Sequence, residues 1–108
     1  MARRVEEIGS EHGFQIPVYG HAGDGNLHVV VPYDAADPTA AKRAEETSQE
    51  IFRAAIALGG TITGEHGVGY AKREFLPWQL SDKVLSLSHS VKKQFDPEGI
   101  FNPSKVLM

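Results

Sequence analysis

The chain has 108 residues, of which 41% are hydrophobic, so it can bury one modest core, and we expect a single domain over residues 1–108. Its formal net charge of −3 and scattered lysines and arginines argue against nucleic-acid binding, and the lack of cysteine excludes disulfides, thiolate nucleophiles and cysteine-ligated zinc. No apolar run approaches the roughly 20 residues of a membrane span, which predicts a soluble, cytoplasmic protein.

The first elements in chain order are a predicted helix and two predicted strands. Residues 2–13 have the apolar spacing of a helix, and Gly13 is the expected stop. The apolar stripe of this helix is thin, so we expect it to be the tail of a longer element. Short strands are predicted at Ile16–His21 and Leu27–Pro32, with a turn cluster between them.

The turn cluster contains Asp24-Gly25, a pair that is typical of two-residue hairpin turns. With these two residues at the centre of the turn, His21 lies directly opposite His28 on one face of the hairpin. The other face is predicted to pack on the core and carries Val18, Gly20, Ala22, Leu27, Val29 and Val31.

A longer helix is predicted over Pro38–Leu58, with Asp37 as its N-cap and Gly59 after its end. Helical spacing favours burial of one side of this helix. The predicted buried positions are Ala40, Ala41, Ala44, Ile51, Ala54, Ala55 and Leu58.

The rest of the chain is predicted to form short elements around a glycine-rich loop. Thr61–Thr63 is a brief strand, residues 64–69 are the loop, and Tyr70–Leu76 is a short helix that Pro77 ends. A last helix begins near Ser81 and is followed by a turn. Its predicted core positions are Val84, Leu87, Val91 and Phe95. Together these elements predict an α+β fold in which helices pack on a small antiparallel sheet.

His21, His28 and Glu65 form the first candidate site. Two histidines on facing strands can share one cation, and a carboxylate from a glycine-rich loop can complete a site for zinc or another divalent first-row ion. The same pattern is compatible with two ordinary exposed histidines and glycines that only turn the chain. The spacing therefore leaves both interpretations open.

The second candidate site is the loop from Gly64 to Gly69, which contains Glu65 and His66. Glycines let the backbone approach a ligand closely, and a histidine titrates near physiological pH, which suits a general base. A tight connection with two solvated side chains is the alternative. A phosphate-binding loop is disfavoured because the Lys-Ser/Thr pair of a Walker motif is missing. His12 and His89 are expected to be structural or surface groups.

Three stretches of the chain together resemble the C-terminal region of the FAD-linked oxidases. This vanillyl-alcohol-oxidase type of flavoprotein includes the glycolate oxidase flavin subunit, D-lactate dehydrogenases and D-2-hydroxyglutarate dehydrogenase. The resemblance spans nearly all of the chain from Gly20 onward. Its motifs are His21 to His28, Gly59 to Gly69, and Phe95-Asp96-Pro97 followed by Phe101 to Lys105.

The resemblance implies two cofactors, FAD and a divalent metal that is usually zinc. It assigns the metal to His21, His28 and Glu65, substrate binding to Asn26 and His66, the general base to His66, and contact with the cofactor to Asn102 and Lys105. The implied fold is a remnant of a ferredoxin-like cap followed by a C-terminal helical segment. The FAD-binding domain of the family and the substrate-clamping arginine of its cap have no counterpart in this chain.

The implied reaction is the oxidation of a 2-hydroxy acid of the glycolate or D-lactate class to a 2-oxo acid. Val30 stands where hydroxyglutarate-specific members have a substrate-binding asparagine, which argues against that substrate. The implied partner is a FAD-binding domain or flavin subunit, docked on an exposed apolar patch, and the isolated chain is expected to be inactive. A homo-oligomer, a stand-alone metal-binding module and a zinc hydrolase stay open as alternatives.

Overall fold

A computed structural model describes residues 1–107 and contains helices and one two-stranded antiparallel sheet within that range. The predicted α+β class is confirmed. The elements are α1 (Ala2–His12), β1 (Val18–His21), β2 (Asn26–Val29), α2 (Ala40–Ala57), α3 (Leu76–Gln79) and α4 (Asp82–Phe95). The chain divides into two compact units, residues 1–65 and the part that begins at His66. Among the described residues, no helix combines the length and apolar character that crossing a bilayer requires.

The first unit is built around a small core between α1, α2 and the hairpin. Val5 and Ile8 of α1 are fully buried with Ile51 of α2, which confirms the apolar side predicted for each helix. The predicted core face of the hairpin is confirmed for Val18, Val29 and Val31, which pack on this cluster. Ala22 was expected on the same face but is exposed, because it lies in the turn after β1. The other hairpin face is therefore left for polar side chains.

A polar network also connects the first two helices. His12 Nε2 lies 2.9 Å from Glu50 Oε2, and Arg4 donates to the other oxygen of the same carboxylate at 3.2 Å. His12 is thus a structural residue, as predicted, but it has a partner on α2 that helical spacing alone does not identify. At the end of α1, Gly13 adopts a left-handed conformation with φ of 77°, which confirms the predicted stop.

The register of the hairpin differs from the prediction. His21 pairs with Asn26 and His28 pairs with Tyr19, so the two histidines are diagonal neighbours and not direct partners. The predicted two-residue turn needs positive φ at both central residues. Only Gly25 has it, at 69°, and it closes a 3-10 turn over Ala22–Asp24, so the connection is longer. The register moves by two positions, which keeps both histidines on one face.

The start of α2 was predicted two residues too early. Asp37 is not the N-cap, because its carboxylate accepts hydrogen bonds from the backbone N–H and the hydroxyl of Thr39 and forms a turn before the helix. Gly59 follows the helix end with φ of 77°, as predicted. The residues that α2 buries are Ala40, Ala44, Thr47 and Ile51. Ala54 and Ala55 of the predicted set are half-buried, and Ala41 and Leu58 are exposed. Leu58 follows the last residue of the helix, which explains its exposure.

Two further predictions were wrong around the glycine-rich loop. Thr61–Thr63 is not a strand, and the Thr61 hydroxyl donates to the Thr63 carbonyl oxygen at 2.6 Å, which closes a local turn. Pro77 does not end a helix but lies in the first turn of α3, where its missing N–H costs no hydrogen bond. The helix predicted over Tyr70–Leu76 therefore lies later in the chain: turns and a 3-10 turn, Arg73–Phe75, occupy most of that range and lead into α3.

The last helix begins after Ser81 as predicted, but its apolar residues are not core. None of the residues of α4 is buried, and Phe95 at its end is 83% exposed. The exposed apolar row, as we call it below, consists of Val84, Leu87, Val91 and Phe95. The second unit thus has an apolar helix face that nothing within residues 66–107 covers.

Asp96 holds the turn that follows α4. Its side chain is only 4% exposed, and it accepts hydrogen bonds from Lys92 and from the backbone N–H groups of Ile100 and Phe101. The hydrogen bond from Lys92, with those from the backbone of Phe101 and Ile100, lowers the pKa of Asp96 below its ordinary value, although burial opposes this shift. The charged carboxylate therefore stabilises the folded turn.

This depressed pKa predicts an acid-sensitive second unit. The carboxylate of Asp96 contributes its full stabilisation above its ordinary pKa of 3.8 and loses it as pH falls through the lower folded value. Asp96→Asn should therefore destabilise this unit at neutral pH, and the difference from wild type should shrink on acidification. Urea unfolding followed by Trp78 fluorescence measures this, with the exposed Glu98→Gln as control. An Asp96→Asn effect that is the same at pH 7 and pH 2 would contradict the assignment.

Candidate metal centre

The polar face of the hairpin places two imidazoles side by side. His21 is the last residue of β1 and His28 lies inside β2, and their ring centroids are 5.7 Å apart in an edge-to-face arrangement. The His21 side chain is 60% exposed, whereas that of His28 is 16% exposed. Tyr19 packs on His28, with 5.5 Å between the two ring centroids, and contributes to this burial. The pair is therefore open to solvent at one end and held by the sheet at the other.

Glu65 reaches both histidines from the glycine-rich loop. Its Oε1 atom lies 3.0 Å from His28 Nε2 and 3.4 Å from His21 Nε2. One ligand atom from each of the three residues lies within 4.8 Å of the other two. The structure thus brings together the three residues predicted as metal ligands, although they are far apart in the sequence.

The distances fit a shared divalent cation. Zinc binds imidazole nitrogen and carboxylate oxygen at about 2.0–2.2 Å, so ligand atoms in a tetrahedral site lie roughly 3.3–3.5 Å apart. The two nitrogen-to-oxygen distances at Glu65 are close to this spacing. Two nitrogens and one carboxylate oxygen also form a donor set that leaves a coordination position open, as catalytic zinc sites do. The residues present therefore fit the metal that the family resemblance implies.

The same distances are also compatible with hydrogen bonds from the imidazoles to the carboxylate. The 3.0 Å separation at His28 is typical of an N–H···O bond, and that at His21 is long for one. Because both Nε2 atoms face the same oxygen, this arrangement also concentrates three possible ligands at one point. Geometry therefore supports a cation site at these three residues.

The two residues expected at the substrate occupy different environments. Asn26 begins β2, pairs with His21 and is half-buried on the ligand face of the hairpin. His66 directly follows Glu65 in the chain and is the first residue of the second compact unit. The substrate roles of Asn26 and His66 stay predictions.

The residues expected at the flavin lie in an unusual C-terminal segment. Asn102 and Ser104 have positive φ of 46° and 60°, and Val106, a β-branched residue, has φ of 63°. Such angles are rare outside glycine and are strained, so they persist where surrounding contacts hold them. The side chain of Lys105 lies between two of these strained positions, with its Nζ 5.0 Å from the ring centroid of Tyr70.

Two residues that sequence reasoning missed hold this segment. The guanidinium of Arg73 stacks on Tyr70, 3.8 Å from the ring centroid, and donates to the Ser104 carbonyl oxygen at 2.8 Å. The backbone N–H of Val106 donates to Gly69 at 2.7 Å. Tyr70 and Arg73 follow the glycine-rich loop at a three-residue spacing, a signal too common to identify them without the structure.

Comparison with known proteins gives a family and a set of relatives. The family described as FAD linked oxidases, C-terminal domain, matches residues 1–106. The chain is 41% identical over 106 residues to the glycolate oxidase subunit GlcD of Bacillus subtilis, covering 98% of this chain and 23% of that protein. It is 35% identical over 101 residues to GlcD of Escherichia coli, covering 94% and 20%. It is 38% identical over 106 residues to the D-lactate dehydrogenase of Archaeoglobus fulgidus, covering 97% and 23%.

The chain thus spans about a fifth of the length of these relatives and matches each over nearly all of its own length. The match includes both the hairpin and the glycine-rich loop that carry the candidate ligands, and the C-terminal segment as far as residue 106. The resemblance noted from the motifs is therefore confirmed, and the chain belongs to the C-terminal domain family of the FAD linked oxidases.

Proposed function

We propose that this chain is the catalytic C-terminal part of a flavin-dependent, metal-assisted enzyme that oxidises a 2-hydroxy acid to a 2-oxo acid. The observation that carries the proposal is the convergence of His21, His28 and Glu65 within metal-ligand distance. The names of the relatives, glycolate oxidase subunit and D-lactate dehydrogenase, support a small substrate with adjacent hydroxyl and carboxylate groups.

The three ligands would position the substrate. A bound divalent metal would supply a Lewis acid for the hydroxyl and carboxylate oxygens, and a bound flavin the acceptor for the C2 hydrogen and its electron pair. A substrate bound through both oxygens would need two coordination positions beside the three protein ligands, which a zinc ion with five ligands would provide. The solvent-facing side of His21 leaves room for such a ligand. His28 and Glu65 would keep the site in place from the sheet and from the loop.

His66 would act as the general base that takes the proton of the substrate hydroxyl. An imidazole suits this role because its ordinary pKa lies near physiological pH. His66 directly follows Glu65 in the sequence, and Glu65 contacts His21 and His28. Asn26 begins the strand that carries His28, and we propose that its amide also contacts the bound acid.

The flavin itself requires protein beyond this chain. Asn102 and Lys105 can contribute contacts to its polar edge, but two exposed side chains on one short segment cannot enclose a dinucleotide. We propose that a FAD-binding domain or flavin subunit docks on the exposed apolar row of α4. The size of the relatives supports this, because about four fifths of each lies outside the matched region. Single exposed apolar residues are ordinary, whereas a row along one helix is typical of an interface.

The metal site predicts binding by the chain itself. Titration with Zn²⁺ or Co²⁺, followed by calorimetry, should give one bound ion per chain. His28→Gln and Glu65→Gln should each weaken binding by more than the roughly 10–100-fold that loss of an outer-shell partner costs, because each removes a ligand. His89→Gln, on the exposed surface of α4, serves as the matched control and should bind as wild type does. Unchanged affinity in both ligand variants would contradict the site.

A general-base role for His66 predicts that its substitution slows flavin reduction selectively in the flavin-bearing assembly that contains this chain. His66→Ala should slow flavin reduction by D-lactate or glycolate by about 10²–10⁴-fold, because proton removal then lacks its acceptor. Metal content should be unchanged. Stopped-flow absorbance of the flavin measures the rate, and His89→Ala is the control. Reduction at the wild-type rate would remove His66 from the mechanism. A native protein with metal and no flavin would instead favour a metal-binding module or hydrolase.

A further inference from the structure

The side-chain amide of Asn26 lies against the backbone of Gly64. A Cβ placed on Gly64 would stand 2.0 Å from Asn26 Oδ1 and 2.7 Å from its Cγ, distances that real Cβ atoms do not show. Asn26 begins β2 and Gly64 directly precedes Glu65. The contact therefore joins the hairpin that carries both histidines to the loop that carries the acidic ligand.

The glycine at position 64 is needed for space and not for backbone conformation. Gly67 and Gly69 in the same loop have positive φ of 80° and 55°, which favours glycine whatever surrounds them. Gly64 is not among the residues with positive φ, so an alanine could adopt its backbone angles. The three heavy atoms nearest to a Cβ at this position all belong to the Asn26 amide, so a side chain there would meet the amide first.

A second glycine, Gly20, lets the two strands approach each other closely at Asn26. A Cβ on Gly20 would stand 2.5 Å from the backbone oxygen of Asn26, and Gly20 has φ of 139°, an angle that L residues rarely adopt. Gly20 thus lets β1 approach the start of β2, and Gly64 lets the loop approach the Asn26 side chain. Two glycines therefore approach Asn26 closely, Gly20 at its backbone oxygen and Gly64 at its side-chain amide.

We infer that Asn26 is a positioning residue of the metal site, which acts through Gly64 to set the carboxylate of Glu65 against His21 and His28. The inference rests on the proposed metal site and adds to it a determinant that is not a ligand. Because Glu65 is attached to the residue that Asn26 contacts, a displacement of Gly64 moves the carboxylate relative to both imidazoles. This role is additional to any contact of the amide with substrate.

The test compares metal affinity among substitutions that leave all three ligands in place. Gly64→Ala introduces a methyl group where the amide lies, and Asn26→Ala removes the amide. Each should weaken Zn²⁺ or Co²⁺ binding by the roughly 10–100-fold typical of outer-shell changes. The double variant, Asn26→Ala with Gly64→Ala, removes the clash and should bind more tightly than Gly64→Ala alone. Gly23→Ala is the control, because a Cβ there meets nothing within 4 Å and its φ is not positive.

The outcomes separate this inference from the proposed function. Far-ultraviolet circular dichroism first confirms that each variant folds. If wild type binds the metal and Gly64→Ala binds equally well, the positioning role is wrong while the metal site stands. If Gly64→Ala is weak but the double variant is weaker still, the amide contact is not the cause, and the inference is overturned. If wild type binds no metal, the metal site fails first, and the positioning role fails with it.

Discussion

The convergence of two imidazole nitrogens on one carboxylate oxygen is the interaction on which the functional account depends. This convergence requires a two-stranded sheet with one apolar face and one face that carries the histidines. One face packs Val18 and Val29 on the core of the first unit, and the other presents His21 and His28 beside each other. Because side chains alternate along a strand, burial of one face fixes which residues remain on the other. The core therefore orients the site.

Much of this arrangement could be predicted from the sequence because it follows from periodicity. The alternation of apolar residues assigned the hairpin faces, and helical spacing identified the buried sides of α1 and α2. The predicted pairing of His21 with His28 was wrong because the turn type was misjudged: of the two predicted central residues, Asp24 and Gly25, only Gly25 adopts the left-handed conformation. The error was harmless for the site, since a two-residue shift preserves the face of each histidine. The proximity of Glu65 came from resemblance and chemistry, as periodicity does not relate a loop to a distant strand.

The remaining differences between prediction and structure concern contacts in the folded chain that the spacing of residues does not reveal. Apolar spacing in α4 correctly predicted a helix, but spacing does not say what covers its apolar side, and Leu87 and Phe95 are exposed. The same limit applies to Arg73, whose contacts with Tyr70 and Ser104 depend on a return of the chain over 31 positions. The buried carboxylate of Asp96 was also not identified, because its donors follow from the turn that it stabilises. The C-terminal segment thus depends on the long-range contact between Arg73 and Ser104, whereas the apolar row of α4 is exposed because nothing within residues 66–107 covers it.

The central claim is that His21, His28 and Glu65 share one metal ion, and diffraction from crystals soaked in Zn²⁺ tests it most directly. Anomalous difference density collected at the zinc edge should show a single strong peak about 2.0–2.2 Å from a nitrogen of each imidazole and from a carboxylate oxygen. A peak that includes all three residues supports the account. Density elsewhere on the surface, or an intact cluster of three side chains with no zinc between them under saturating conditions, would contradict it.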